Sequence, residues 1–144
     1  MAGELEPGLE VVTEPRVITD ADVRAFAALS GDDNALHTDD EVARAAGFRS
    51  RIAHGMLGVA VASGMLARTG LTRGILIALA GVTWRFVAPI YPGDAIRLRV
   101  RVEERRASSK AGRDVVRLSL TLMNQDGAVV QEGEATEVVR AGAR

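Results

Sequence analysis

The segment Ile52–Arg68 limits the possible folds more than any other part of the chain. Its apolar residues recur at helical spacing, while Ala53, Gly55, Gly58, Ala60, Ala62, Ser63, Gly64 and Ala67 keep it unusually thin. A glycine inside a helix costs up to ~1 kcal/mol relative to alanine. Three of them therefore predict a helix that other backbone approaches closely, as when a sheet wraps around it.

The flanking segments supply that sheet. Leu79–Val87 alternates Val82, Trp84 and Phe86 and ends in the turn chemistry of Pro89-Ile-Tyr-Pro-Gly93. Ala95–Val102 sets Ile96, Leu98, Val100 and Val102 against Arg97, Arg99 and Arg101, and Val115–Leu122 repeats the period. Asn124-Gln-Asp-Gly127 predicts a hairpin leading into a last strand, Ala128–Val139. Upstream, Thr19-Asp-Ala-Asp22 caps a helix over Asp20–Leu29 that stops at Gly31, and Thr38-Asp-Asp-Glu41 has the form of a capping box for a second helix over Asp39–Ala46. Between these two helices, Ser30–His37 reads as a polar loop. A short β-rich stretch, Leu9–Thr13, is kept from continuing as a central strand by Pro15. The class is α+β, an antiparallel sheet covering one long helix. A chain of 144 residues is expected to form a single domain, 1–144.

Charge and composition narrow the partners. Eighteen basic against nineteen acidic residues and few aromatics offer neither the field nor the stacking surfaces of a nucleic-acid binder. Cysteine is absent, which removes disulfides, thiolate metal sites and a thiol nucleophile. The opening residues lack the pattern of a signal peptide, and no apolar run reaches the ~20 residues of a membrane span. A cytoplasmic protein without membrane contact is the expectation.

Two clusters can carry chemistry. Asp32 and His37 lie five residues apart on the inter-helix loop, where a carboxylate can orient an imidazole and the two can polarise water; Asn34 can hold the loop or the water. Taken alone, Gly31–Asn34 reads more readily as a turn, with His37 a partly buried helix-entry residue. His54-Gly55-Met56 lies at the first turn of the small-residue helix, where unpaired N–H groups and the helix dipole favour a developing negative charge. Taken alone, it reads as close packing at Gly55. Two histidines seventeen residues apart offer no compact metal spacing, so no metal is expected.

Together, the two clusters resemble a known signature. Phe26-Ala-Ala-Leu-Ser-Gly-Asp-Asp-Asn-Ala-Leu-His37 is similar to the Ser-Gly-Asp-x-Asn-Pro-Leu-His motif of the MaoC-like, R-specific enoyl-CoA hydratases and 3-hydroxyacyl-thioester dehydratases. The likeness continues through Gly47-Phe-Arg, Ile52-Ala-His-Gly-Met-Leu57 and Tyr91-Pro-Gly-Asp94. Ala35 stands where the family has proline, which frees one φ angle and removes no reacting group.

This resemblance implies a hot-dog fold, with the sheet around the long helix and a helical overhang carrying the catalytic loop. It implies Asp32 and His37 as the groups that activate water, and Gly55 N–H as the oxyanion donor. His54, Asn34 and Ser63 are implied as neighbours of the substrate. It further implies an acyl-CoA or acyl carrier protein thioester as substrate, a homodimer, and no cofactor. A thioesterase, and a non-catalytic acyl-binding subunit of a heteromeric dehydratase, remain open at this point. Acyl length and the physiological direction are also open.

Overall fold

In the computed structural model, which describes residues 5–142, the elements in chain order are β1 (Glu10–Val12), β2 (Arg16–Val17), α1 (Asp20–Ser30), α2 (Ala35–Thr38), α3 (Asp40–Ala45), α4 (Gly55–Thr69), β3 (Leu76–Phe86), β4 (Ala95–Ala107), β5 (Arg113–Met123) and β6 (Val129–Arg140). The strands form one antiparallel sheet in the order β1-β4-β5-β6-β3, with β2 also pairing with β4.

The sheet closes over α4 because its alternation is strict. Ile96, Leu98, Val100 and Val102 of β4 and Val116, Leu118, Leu120 and Leu122 of β5 point inward and are buried, while Arg97, Arg99 and Arg101 point outward. They meet the buried stripe of α4, made by Leu57, Gly58, Val61, Ala62, Met65 and Leu66. This is the hot-dog arrangement that the thin helix requires. Two of its three glycines are there for close approach. A Cβ on Gly55 would lie 2.7 Å from the Phe86 ring, and one on Gly58 would lie 2.3 Å from the Gln131 amide. Gly64 faces open space, so the packing reason does not extend to it.

Local signals placed α1 well. Thr19 Oγ1 accepts from the Asp22 amide at 3.1 Å and Asp22 Oδ2 accepts from the Thr19 amide at 2.9 Å, the expected capping box. Three expectations shift. Thr38 does not cap the next helix; Asp39 does, accepting the Glu41 amide at 2.8 Å, because Thr38 is already the last residue of α2. The polar loop Ser30–His37 is thus shortened by a one-turn helix that carries His37. The long helix begins at Gly55 rather than Ile52. The Ile52 amide donates to the Leu36 carbonyl at 3.0 Å and the Ala53 amide to the Ile90 carbonyl at 2.8 Å, which holds this stretch out of the helix. That delay puts Gly55 at the helix N-terminus.

The overhang is clamped to this strap by Arg51. Its guanidinium bonds Asp20 at the start of α1 and reaches Asp40 of α3 at 3.6 Å, and its amide donates to Asp40 Oδ1 at 3.0 Å. The hydrogen bond from Arg51 holds the Asp20 carboxyl below its usual range, and the same contact raises the guanidinium. No helix among the described residues is long and apolar enough to cross a membrane.

Candidate active site

Local hydrogen bonds build the loop between α1 and α2. Ser30 donates its hydroxyl to the Phe26 carbonyl at 2.7 Å, and the same oxygen accepts the Asp32 amide at 3.1 Å. Asp32 Oδ1 accepts the Asn34 amide at 3.2 Å, and Asn34 caps α2 by accepting from the Leu36 amide at 3.0 Å. Asn34 therefore shapes the loop that presents Asp32 and His37.

The histidine tautomers follow from their partners. His37 Nδ1 lies 2.8 Å from the Ile52 carbonyl oxygen, which can only accept, so Nδ1 carries the proton. In the neutral ring the lone pair is then on Nε2. That nitrogen lies 4.0 Å from Asp32 Oδ2, too far for a direct hydrogen bond. Two acceptors at this separation suit one bridging water that gives a hydrogen to each. The His37 side chain is 12% exposed and that of Asp32 52%, so the pair meets solvent from the carboxylate side.

His54 holds both groups. Its Nε2–H donates to the Asp32 carbonyl at 2.8 Å, and its ring stacks on His37 with centroids 3.8 Å apart and planes 26° apart. Phe26 packs against the same His54 ring, with centroids 4.9 Å apart and planes tilted by 56°. His54 Nδ1 is buried without a hydrogen-bond partner. As the N-cap residue of α4, His54 ties the loop to the start of the helix.

Gly55 follows it. The amide of a first helical residue has no carbonyl one turn earlier to receive it, and the dipole adds partial positive charge there. Gln131, which sequence reasoning did not single out, fastens this turn from below. It donates Nε2–H to the Gly55 carbonyl at 3.1 Å and accepts from Trp84 Nε1 at 3.0 Å. A cleft of about 530 Å3 joins these parts, lined by Asp32, His37, His54, Gly55 and Gln131 and by Phe48, Ile52, Met56, Phe86, Val87 and Pro89 among others. A signal for Gln131 was present: it occupies an inward position of β6, in phase with Ala135 and Val139.

Ser63 does not join this cleft. It lies two turns further along α4 and lines a separate cleft of about 160 Å3, with Thr72, Leu79 and Glu137. Asp32, His37 and His54 each place a ligand-capable atom within 4.8 Å of the others, a proximity made by the fold and not by spacing. Each histidine already commits one ring nitrogen to a backbone carbonyl, and of the remaining two it is His37 Nε2 that lies 4.0 Å from the Asp32 carboxylate.

The carboxylate and imidazole of Asp32 and His37 and the Gly55 end of the sheet-wrapped helix thus line one cleft of a hot-dog fold. Residues 4–124 match the model of the MaoC like domain, and the chain belongs to that family. It is 34% identical over 115 residues to the (R)-specific enoyl-CoA hydratase of Aeromonas caviae, covering 80% of this chain and 81% of that protein. It is 31% identical over 111 residues to protein MaoC of Klebsiella aerogenes, covering 77% of this chain, and it spans about a third of that longer relative, 33%. The crystal structure of the MaoC-like dehydratase from Rhodospirillum rubrum superposes with a TM-score of 0.85 at 27% identity, over 96% of this chain and 95% of that one.

Proposed function

We propose that this protein adds water to trans-2-enoyl thioesters to give (3R)-hydroxyacyl thioesters, and catalyses the reverse dehydration. The observation that carries this reading is the 2.8 Å contact of His37 Nδ1 with the Ile52 carbonyl oxygen. With Nδ1–H committed to the Ile52 carbonyl, the Nε2 lone pair is left 4.0 Å from the Asp32 carboxylate, a separation that suits one water between them.

The reaction follows from the arrangement. A water held by both bases loses a proton to the pair as its oxygen attacks C3 of the enoyl thioester. Electron density moves to the thioester oxygen, where the Gly55 N–H and the α4 dipole stabilise the enolate. The pair then returns a proton to C2. Both additions come from one face, so hydration is syn. Water and the chain's own side chains complete this cycle.

The acyl group is carried by CoA or by acyl carrier protein. Of the arginines that could meet phosphates, Arg51 is committed to Asp20 and Asp40, and Arg85 to Glu132. Arg49 lies 4.1 Å over the Tyr91 ring and reaches Asp94 only at 4.0 Å, with its side chain 69% exposed, and it is the better placed cation for a carrier phosphate.

The protein acts as a homodimer. β3 ends the sheet order and has a free edge, yet Leu76, Ile77, Leu79, Val82 and Phe86 along it are exposed. A long apolar edge strand left bare is a template for pairing, and a twofold axis lets the same strand of a second copy complete it.

Incubation with crotonyl-CoA tests the activity. Loss of enoyl absorbance with formation of the (3R) product is expected. Release of free thiol without hydration, or no turnover at all, overturns the assignment.

A further inference from the structure

The cleft that receives Ser63 contains a group the reaction does not use. Glu137 lies on an inward position of β6, opposite Val116 of β5, where its neighbours in phase are apolar. It is 4% exposed, one carboxyl oxygen is hydrogen-bonded by Thr72, and Oε2 has no partner. The other walls include Val59, Leu66, Leu79 and Leu120, so among the described lining residues no cation answers the acid. A buried polar atom without a partner costs roughly 1–3 kcal/mol, and such a group persists at a ligand site more readily than in a passive core.

The position relates this cleft to the catalytic one. Along α4, Gly55 borders the catalytic cleft, and Val59, Ser63 and Leu66 border the second on the same stripe. Along β3, Phe86 borders the first, and Val82, Leu79 and Leu76 border the second. Gly55 and Leu66 are eleven residues apart, a rise of about 16 Å. Gln131 and Trp84 fill the space between sheet and helix between the two clefts. An acyl chain leaving Gly55 along the apolar side chains of β3, which in the proposed dimer means along the seam with the second copy, has the second cleft on its course.

We propose that Glu137 is a specificity residue that binds a hydroxyl group at the far end of a medium-length acyl chain. A hydroxyl fits because it both donates and accepts. It accepts from Oε2–H when Glu137 is a neutral acid and donates to Oε2 when it is ionised. Burial raises the affinity of this carboxyl for its proton, which favours the first of these forms. Ser63, at the rim of the same cleft, offers a second hydroxyl to the same end group. This inference rests on the acyl-thioester reading above and extends it from reaction to substrate class.

The test is binding, which needs no turnover. Octanoyl-, decanoyl- and dodecanoyl-CoA and their terminally hydroxylated counterparts are titrated calorimetrically into the unaltered protein, Glu137→Gln and Glu137→Leu. At one length the unaltered protein is expected to bind the hydroxylated chain at least ~10-fold more tightly, since a site built for a hydroxyl rejects the chain lacking it. Glu137→Leu should reverse the order and Glu137→Gln should reduce the preference. Equal affinity for the two series, no binding of either, or a preference that survives Glu137→Leu overturns the proposal. If Glu137→Leu does not fold, the discrimination by the unaltered protein and by Glu137→Gln decides. Hydration of crotonyl-CoA by the unaltered protein is measured alongside. Its absence with the hydroxyl preference intact removes the hydratase reading alone, and its presence without the preference removes this inference alone.

Discussion

The ring of His54 lies flat on that of His37, 3.8 Å away, while its Nε2–H holds the Asp32 carbonyl at 2.8 Å. One buried side chain thus fixes the backbone of one proposed catalytic group and the ring plane of the other.

His54 is accordingly a positioning residue. His54→Ala is expected to lower kcat on the order of 10²-fold, the cost of small displacements of reacting groups, with a much smaller change in KM. The pH profile of kcat should also move, since the ring stacked on His37 is lost. A mutant whose loss of activity follows only its loss of folded protein, by circular dichroism, shows a structural role instead.

Asp32→Asn and His37→Ala remove the two proposed bases. Each is expected to reduce hydration at least ~100-fold with the fold intact, in line with the usual contribution of acid–base groups. Full activity in either one, on crotonyl-CoA, rejects their assignment.

Much of this was legible in the sequence, and the reasons for the remainder are physical. The caps that set α1 are written within a few residues at Thr19 and Asp22, so the helix could be placed from them. The pairing of small residues with a wrapping sheet was legible in Gly55 and Gly58. The start of α4 was not, because bonds from Ile52 to Leu36 and from Ala53 to Ile90 set it, and both partners are remote in sequence. The four residues of α2 are too few to show a period. His54's hold on Asp32 spans twenty-two residues and depends on the whole overhang being docked. Gln131 and Glu137 were legible in principle, as polar residues on the inward phase of an otherwise apolar strand.

The glycines separate by what a methyl group would meet. At Gly133 a Cβ would lie 2.0 Å from the Thr83 carbonyl oxygen, a backbone atom of β3 that cannot yield without breaking the sheet. Gly133→Ala is expected to destabilise by ~3 kcal/mol or more. Gly58→Ala meets the Gln131 side chain, which can move, so its larger effect should fall on activity through the lost support of Gly55. Gly64→Ala meets nothing and should stabilise by up to ~1 kcal/mol. Chemical denaturation of the three variants gives the order directly.

Glu137 makes stability depend on pH in a definite direction. Burial raises its folded pKa above the ordinary 4.5. The folded state then holds the proton more tightly than the unfolded one, so the contribution is complete below about 4.5 and is lost as pH rises through the folded value. Glu137→Gln should therefore gain Tm relative to the parent at alkaline pH and gain least in acid. An equal difference at all pH values contradicts this.

The bare edge of β3 sets the expected assembly. Val82→Lys puts a charge on it and should convert the dimer to monomer in sedimentation. An unchanged sedimentation coefficient, or a monomeric parent, removes the proposed pairing.

The sheet register also fixes an order in time. β4, β5 and β6 are joined by short hairpins, whereas β3 meets β6 only across roughly fifty intervening residues. Contacts that close long loops form late, and such pairings are the slower part of folding. The strand pair that carries Phe86, Trp84 and Gln131 is therefore expected to join after the β4–β5–β6 hairpins, with its amides exchanging with solvent sooner than those of β5. A newly made chain acquires this wall of the cleft only once β6 has been made, so a truncation before Val129 leaves the proposed loop chemistry without a place to act.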